Sequence, residues 1–119
     1  MPQFTNHLEI SQGATFRKAF VWKSGGAVVD ITGYTAKSQI RTSVGSSTVV
    51  CEMTTENGML EIDGPAGKVT MVIPATVTET FNFNSSGGVY DVELYHPHIA
   101  GEIMSLVGGM VKLTLQVTR

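Results

Sequence analysis

Three sets of residues in this 119-residue chain have the types and spacing for chemistry. The first is His96-Pro97-His98, with His7 far away in sequence. Residues two apart on a strand share a face, so the two imidazoles could hold one transition metal if Asp91 or Glu93 supplied a third ligand. Pro97 and the following Ile99-Ala100-Gly101 argue for a solvated loop instead. The second set is Asp91 and Glu93. Strand geometry places them about 7 Å apart on one outer face, within the roughly 5–10 Å that separates the carboxyls of glycosidases. Exposed acids lack the burial that raises the pKa of a general acid, so a solvated strand face is expected. The third is Cys51, which sits between Val49 and Met53 and reads as a buried apolar cysteine rather than a nucleophile. Trp22 with Phe16 and Phe20 could stack on a sugar or base, but large apolar side chains usually lie inside. Neither a Gly-x-Ser-x-Gly elbow nor a phosphate-cradling glycine loop is present. The expectation is a non-enzymatic protein with no catalytic, cofactor-binding or metal-binding residue.

The elements that must position these residues are strands. Val and Thr each occur 14 times and Gly 13, against 6 Leu and 7 Ala. β-branched residues suit a pleated, half-buried surface, whereas a helical bundle needs the reverse. Period-2 alternation bounded by turn residues predicts strands at His7 to Ile10, Thr15 to Lys23, Thr35 to Thr42 and Val49 to Thr54. Further strands are expected at Met59 to Ile62, Lys68 to Ile73, Val89 to Tyr95, Ile103 to Val107 and Val111 to Val117. Gly108-Gly109 makes either a tight hairpin or a bulge in one long final strand. Pro74 can start a single helical turn before Phe81. Seven to nine short strands of this kind predict one all-β domain over residues 1–119, an antiparallel two-sheet β-sandwich of Ig-like character. Gly88-Val89-Tyr90-Asp91-Val92-Glu93-Leu94 supports the sandwich, because it is similar to the tyrosine-corner strand of Ig-like domains, with Val92 in place of the cysteine. Residues 1–6 would form an N-terminal arm whose Phe4 is exposed and free to dock elsewhere.

Charge and cysteine usage exclude other classes. Eight basic against ten acidic residues give a net charge of −2, and Arg17-Lys18 is the sole adjacent basic pair, so the basic stripe of a nucleic-acid binder is missing. No apolar run approaches the roughly 20 residues needed to span a bilayer. The opening Met1-Pro2-Gln3-Phe4-Thr5-Asn6-His7 does not read as a signal peptide. A single cysteine excludes an internal disulfide and a cysteine-based zinc site, which fits folding in a reducing cytoplasm. With 15% charged residues the surface is largely hydroxyl and glycine, a composition suited to contact with other subunits.

Leu8-Glu9-Ile10-Ser11-Gln12-Gly13-Ala14-Thr15-Phe16, followed by Val21-Trp22-Lys23, resembles small structural proteins of tailed bacteriophages. More specific is Val29-Asp30-Ile31-Thr32-Gly33-Tyr34-Thr35-Ala36 with Gln39-Ile40-Arg41. That segment is similar to one in short prophage proteins encoded among virion genes, and to the N-terminal virion-attachment domains of siphophage upper baseplate proteins. Thr54-Thr55-Glu56-Asn57-Gly58, the Gly88 to Leu94 strand and Val117-Thr118-Arg119 extend the likeness over nearly the whole chain. The resemblance implies a β-sandwich without enzymatic activity or cofactor, made in the host cytoplasm and incorporated into the virion. Its partners would be other tail, fibre or capsid subunits, contacted as a homo-oligomer or in multiple copies. Baseplate proteins continue into a long fibre-like region that this sequence lacks, so it is not expected to carry a fibre itself; the leading expectation is a tail or fibre-attachment adaptor. A capsid decoration (cement) protein is the alternative within that class. A glycan-binding β-sandwich using Trp22 or Tyr95 is the alternative of another class, and a small hydrolase a more distant one.

Overall fold

A computed structural model of the protein describes residues 3–43, 45, 48–82 and 88–115. Its strands are β1 (Phe4–Thr5), β2 (Leu8–Ser11), β3 (Phe16–Val21), β4 (Lys23–Ser24), β5 (Ala27–Val28), β6 (Thr35–Arg41) and β7 (Val49–Thr54). After these come β8 (Leu60–Asp63), β9 (Lys68–Ile73), the helical turn α1 (Ala75–Thr78), β10 (Gly88–Tyr95) and β11 (Ile103–Thr114). The chain is all-β with several sheets. A six-stranded sheet runs β1-β11-β10-β6-β7, with β2 also paired to β11; a three-stranded sheet runs β3-β9-β8; β4 and β5 form a small hairpin.

Alternation sets the faces. Ala36, Ser38 and Ile40 of β6, Tyr90, Val92 and Leu94 of β10, and Val69, Met71 and Ile73 of β9 are all buried, as their spacing predicts. These inner faces meet in one core: the Phe20 ring of the smaller sheet lies 6.3 Å from the Tyr90 ring of the larger, and 6.4 Å from Phe4. Each large side chain withdrawn from water there contributes roughly 1.5–3 kcal/mol.

Several expectations need correction. The larger sheet is not purely antiparallel, because β1 and β2 both run parallel to β11, pairing Phe4 with Val107 and Leu8 with Val111. Phe4 is therefore not an exposed residue on a loose arm. It is half-buried against the core, and Gln3 and Asn6 also bond to β11 through their amides. β11 is one long strand, and its irregularity falls at Leu106, between the pairs Val92–Val107 and Glu93–Ser105, rather than at Gly108-Gly109. The expected Thr15 to Lys23 strand breaks at Trp22, after which Lys23 and Ser24 pair with Val28 and Ala27. The run Ser85-Ser86-Gly87-Gly88, a turn by its residue types, and the end of the expected Val111 to Val117 strand lie partly outside the described residues.

The break between β1 and β2 explains Gly109. A Cβ there would come within 2.5 Å of the Asn6 carbonyl oxygen and 3.0 Å of His7 Nδ1, so only glycine lets the N-terminal segment lie this close. Pairing lapses after the Asn6 amide, and side chains satisfy the backbone groups released: Tyr90 donates its hydroxyl hydrogen to the Asn6 carbonyl, and the Met110 amide donates to His7 Nδ1 at 3.0 Å. Tyr90 thus bonds to an upstream loop, but one 84 residues away rather than a few residues before its own strand. Helical turn α1 begins after Pro74 as expected, and its buried Thr78 hydroxyl donates to the Ala14 carbonyl at 2.8 Å while accepting from the Gly13 amide at 3.1 Å.

Candidate functional site: a groove on the outer face of the larger sheet

Residues of β6, β10 and β11 that alternate away from the core face outward side by side. Register sets the rows: Val89 stands between Arg41 and Met110, Asp91 between Gln39 and Gly108, Glu93 between Lys37 and Ser105, and Tyr95 between Thr35 and Ile103. Together with Thr5 of β1, these strands form an open groove of about 750 Å³. Gly108 supplies a floor without a side chain beside Asp91, and Thr5 stands across from it. Met110, half exposed at 51%, forms an apolar rim.

The polar groups divide unevenly. On the β6 side, Lys37 Nζ lies 3.9 Å from Glu52 Oε2, and the Gln39 amide nitrogen donates to the same carboxylate oxygen at 2.7 Å. Arg41 Nη2 donates to Gln39 Oε1 at 2.7 Å. Both cations of β6 are thereby drawn to partners on β6 and β7. Among the described residues neither Asp91 nor Glu93 forms an ion pair, and Tyr95 donates its hydroxyl hydrogen to Glu93 Oε1 at 3.3 Å. Desolvation by the groove walls and the negative charge of Glu93 push the Asp91 pKa up, and the Arg41 guanidinium only partly offsets them. Tyr95 is raised as well, by desolvation first and then by the Glu93 charge. Asp91 is exposed and Glu93 half-buried, so the acids do stand on a solvated strand face, although the bordering strands take some of the water from Asp91.

The other candidates are placed elsewhere. His96 Nδ1 accepts from the amides of His98 and Ile99 at 3.1 and 3.2 Å, so this ring closes its own loop, with Tyr34 packed 5.2 Å away. His7 is committed to the Met110 amide, and no group of three or more metal-binding side chains occurs among the described residues. Cys51 is buried, and burial pushes its thiol up to about 11, which disfavours the nucleophilic thiolate. Phe20 is buried, and Phe16 and Trp22 are half-buried against the core. The Asp30-Ile31-Thr32-Gly33-Tyr34 segment is a structural corner. Asp30 accepts from the Thr32 amide at 2.9 Å and from its hydroxyl, which lowers the Asp30 pKa, and Ile31 is wholly buried. Thr32 lies against Gly64, which leaves no room for a Cβ, and Gly33 takes φ of +86°.

Sequence reasoning identified Asp91, Glu93 and Tyr95 but not their neighbours Lys37, Gln39, Arg41, Gly108, Met110 and Thr5. The outward alternation of Lys37, Gln39 and Arg41 was a usable signal; the adjacency of β6 and β11 to β10 was not visible in it. A comparison of the chain with protein-family models and with curated proteins finds no match to either.

Proposed function

We propose that this protein is a non-enzymatic structural component of a bacteriophage virion, a tail, baseplate or fibre-attachment adaptor that acts through protein–protein contacts. The observation that carries this reading is the broad groove on the larger sheet, with its glycine floor and exposed Met110, which suits an extended partner chain better than a small reactant. Exposed Ile103 and Met110 on the outward side of β11 support a covered face. The fold that goes with this function is an Ig-like β-sandwich. Support comes from the strand orders, β11-β10-β6-β7 on one side and β3-β9-β8 on the other, which match the GFCC′ and BED orders of that architecture. Mass spectrometry of purified particles tests the function: the chain should be present, and its absence from particles would refute it. A copy number that matches the capsid lattice would favour the decoration alternative over the tail.

A glycan-binding module is the second reading, supported by Tyr95 standing beside the Glu93 carboxylate at one end of the groove. It requires that Tyr95→Ala abolish retention on a glycan array while the fold persists.

A further inference from the structure

We propose that the groove receives an extended segment of a partner protein and that a lysine or arginine of that segment seats over Gly108, against Asp91 and Glu93. The inference rests on the protein-contact reading above and names the chemistry of the partner. Three observations carry it. First, the two acids share the outward face of β10; Lys37, opposite Glu93, is drawn to Glu52, and the residue opposite Asp91 is the uncharged Gln39, with Arg41 one row away and bonded to Gln39. Second, the β11 side of the acids carries no charge: their neighbours there are Gly108 and Ser105. Glycine at 108 has no positive φ to account for it, and glycine inside a strand commonly marks a place where another chain comes close. Third, Met110 and Val89 border the acids at one end, so a guest cation on the floor would be flanked by surface suited to an apolar neighbour.

Charge complementarity selects the guest. Asp91 and Glu93 are like charges on neighbouring outward positions of one strand, and an incoming ammonium or guanidinium offsets the repulsion that Glu93 exerts on Asp91. A guanidinium can also bridge two carboxylates through its fork of donors. An acidic segment would add to the repulsion, and an uncharged one would leave it unchanged.

The test is an amide NMR titration of the full chain with the peptide acetyl-Val-Ser-Arg-Ser-Val-amide and its citrulline counterpart, which has the same shape without the charge. The expected result is saturable shifts at Asp91, Ser105, Gly108 and Met110 with the arginine peptide. Affinity should fall about tenfold or more, equivalent to about 1.4 kcal/mol, for the citrulline peptide and for the Asp91→Asn/Glu93→Gln variant. Added salt should weaken the arginine peptide selectively. Unchanged shifts at core amides of the other sheet, such as Val69 and Met71, verify that the variant is folded. Equal binding of the two peptides, or no saturable shift at these four amides, overturns the proposal. Saturation of the groove by an oligosaccharide alone would overturn it in favour of the glycan reading. None of these outcomes bears on whether the chain is present in particles, so the groove and the virion role fail separately.

Discussion

At the scale of single residues, the side chains with chemical potential are mostly engaged in holding the backbone. His7 and His96 each accept from main-chain amides, Asp30 closes a turn, and Tyr90 bridges to Asn6. Cys51 follows from its burial: in mildly alkaline buffer it should resist Ellman's reagent in the folded chain and react once denaturant is added, because its pKa is near 11. Asp91 is the residue whose environment opposes its charge. Its native pKa lies above the ordinary 3.8, so the folded chain binds this proton more tightly than the unfolded chain does. Stability associated with Asp91 is therefore full below 3.8 and is lost as pH rises through the native pKa. Asp91→Asn should be more stable than the parent at neutral pH by less than about 1 kcal/mol, a value kept small by solvent screening at an exposed site. Paired denaturation curves should show that gain disappearing in acid.

At the scale of elements, the N-terminal segment is the least expected part. Its parallel pairing with β11 depends on a close approach at Gly109 and on two side-chain hydrogen bonds at the break between β1 and β2. Gly109→Ala forces a Cβ against the Asn6 carbonyl and should cost about 1–3 kcal/mol, as overpacking does. Hydrogen exchange should show protection lost first at Thr5 and Asn6. Tyr90→Phe keeps the ring in the core but leaves the Asn6 carbonyl without its donor, and should cost about 1–3 kcal/mol in denaturant unfolding. In both variants β6 and β10 should retain their protection, since their pairing does not depend on the N-terminus.

At the scale of the whole molecule, the two larger sheets share one core rather than standing side by side. Phe20 is one contact between them, with Tyr90 on the opposite sheet and Phe4 beside it. Phe20→Ala should cost about 3–5 kcal/mol, and Trp22 fluorescence and far-UV circular dichroism should still report one coincident transition. Separate transitions would mean that the sheets unfold independently. Among the described residues the outer face of the larger sheet is left uncovered along the groove.

What the amino-acid sequence determined is local. Alternation at Ala36, Ser38 and Ile40, and at Tyr90, Val92 and Leu94, assigns each side chain to a face, because successive residues of a strand point to opposite sides whatever the strand pairs with. The turn at Pro74, the apolar setting of Cys51 and the outward direction of Asp91 and Glu93 were legible for the same reason. Adjacency was not. Phe4 meets Val107, and Asp91 comes to lie between Gln39 and Gly108, through pairings between segments far apart in the chain. No periodicity within one segment encodes its neighbour, so the parallel edge, the desolvation of Asp91 and the groove itself were decided only when tertiary structure brought β6, β10 and β11 together.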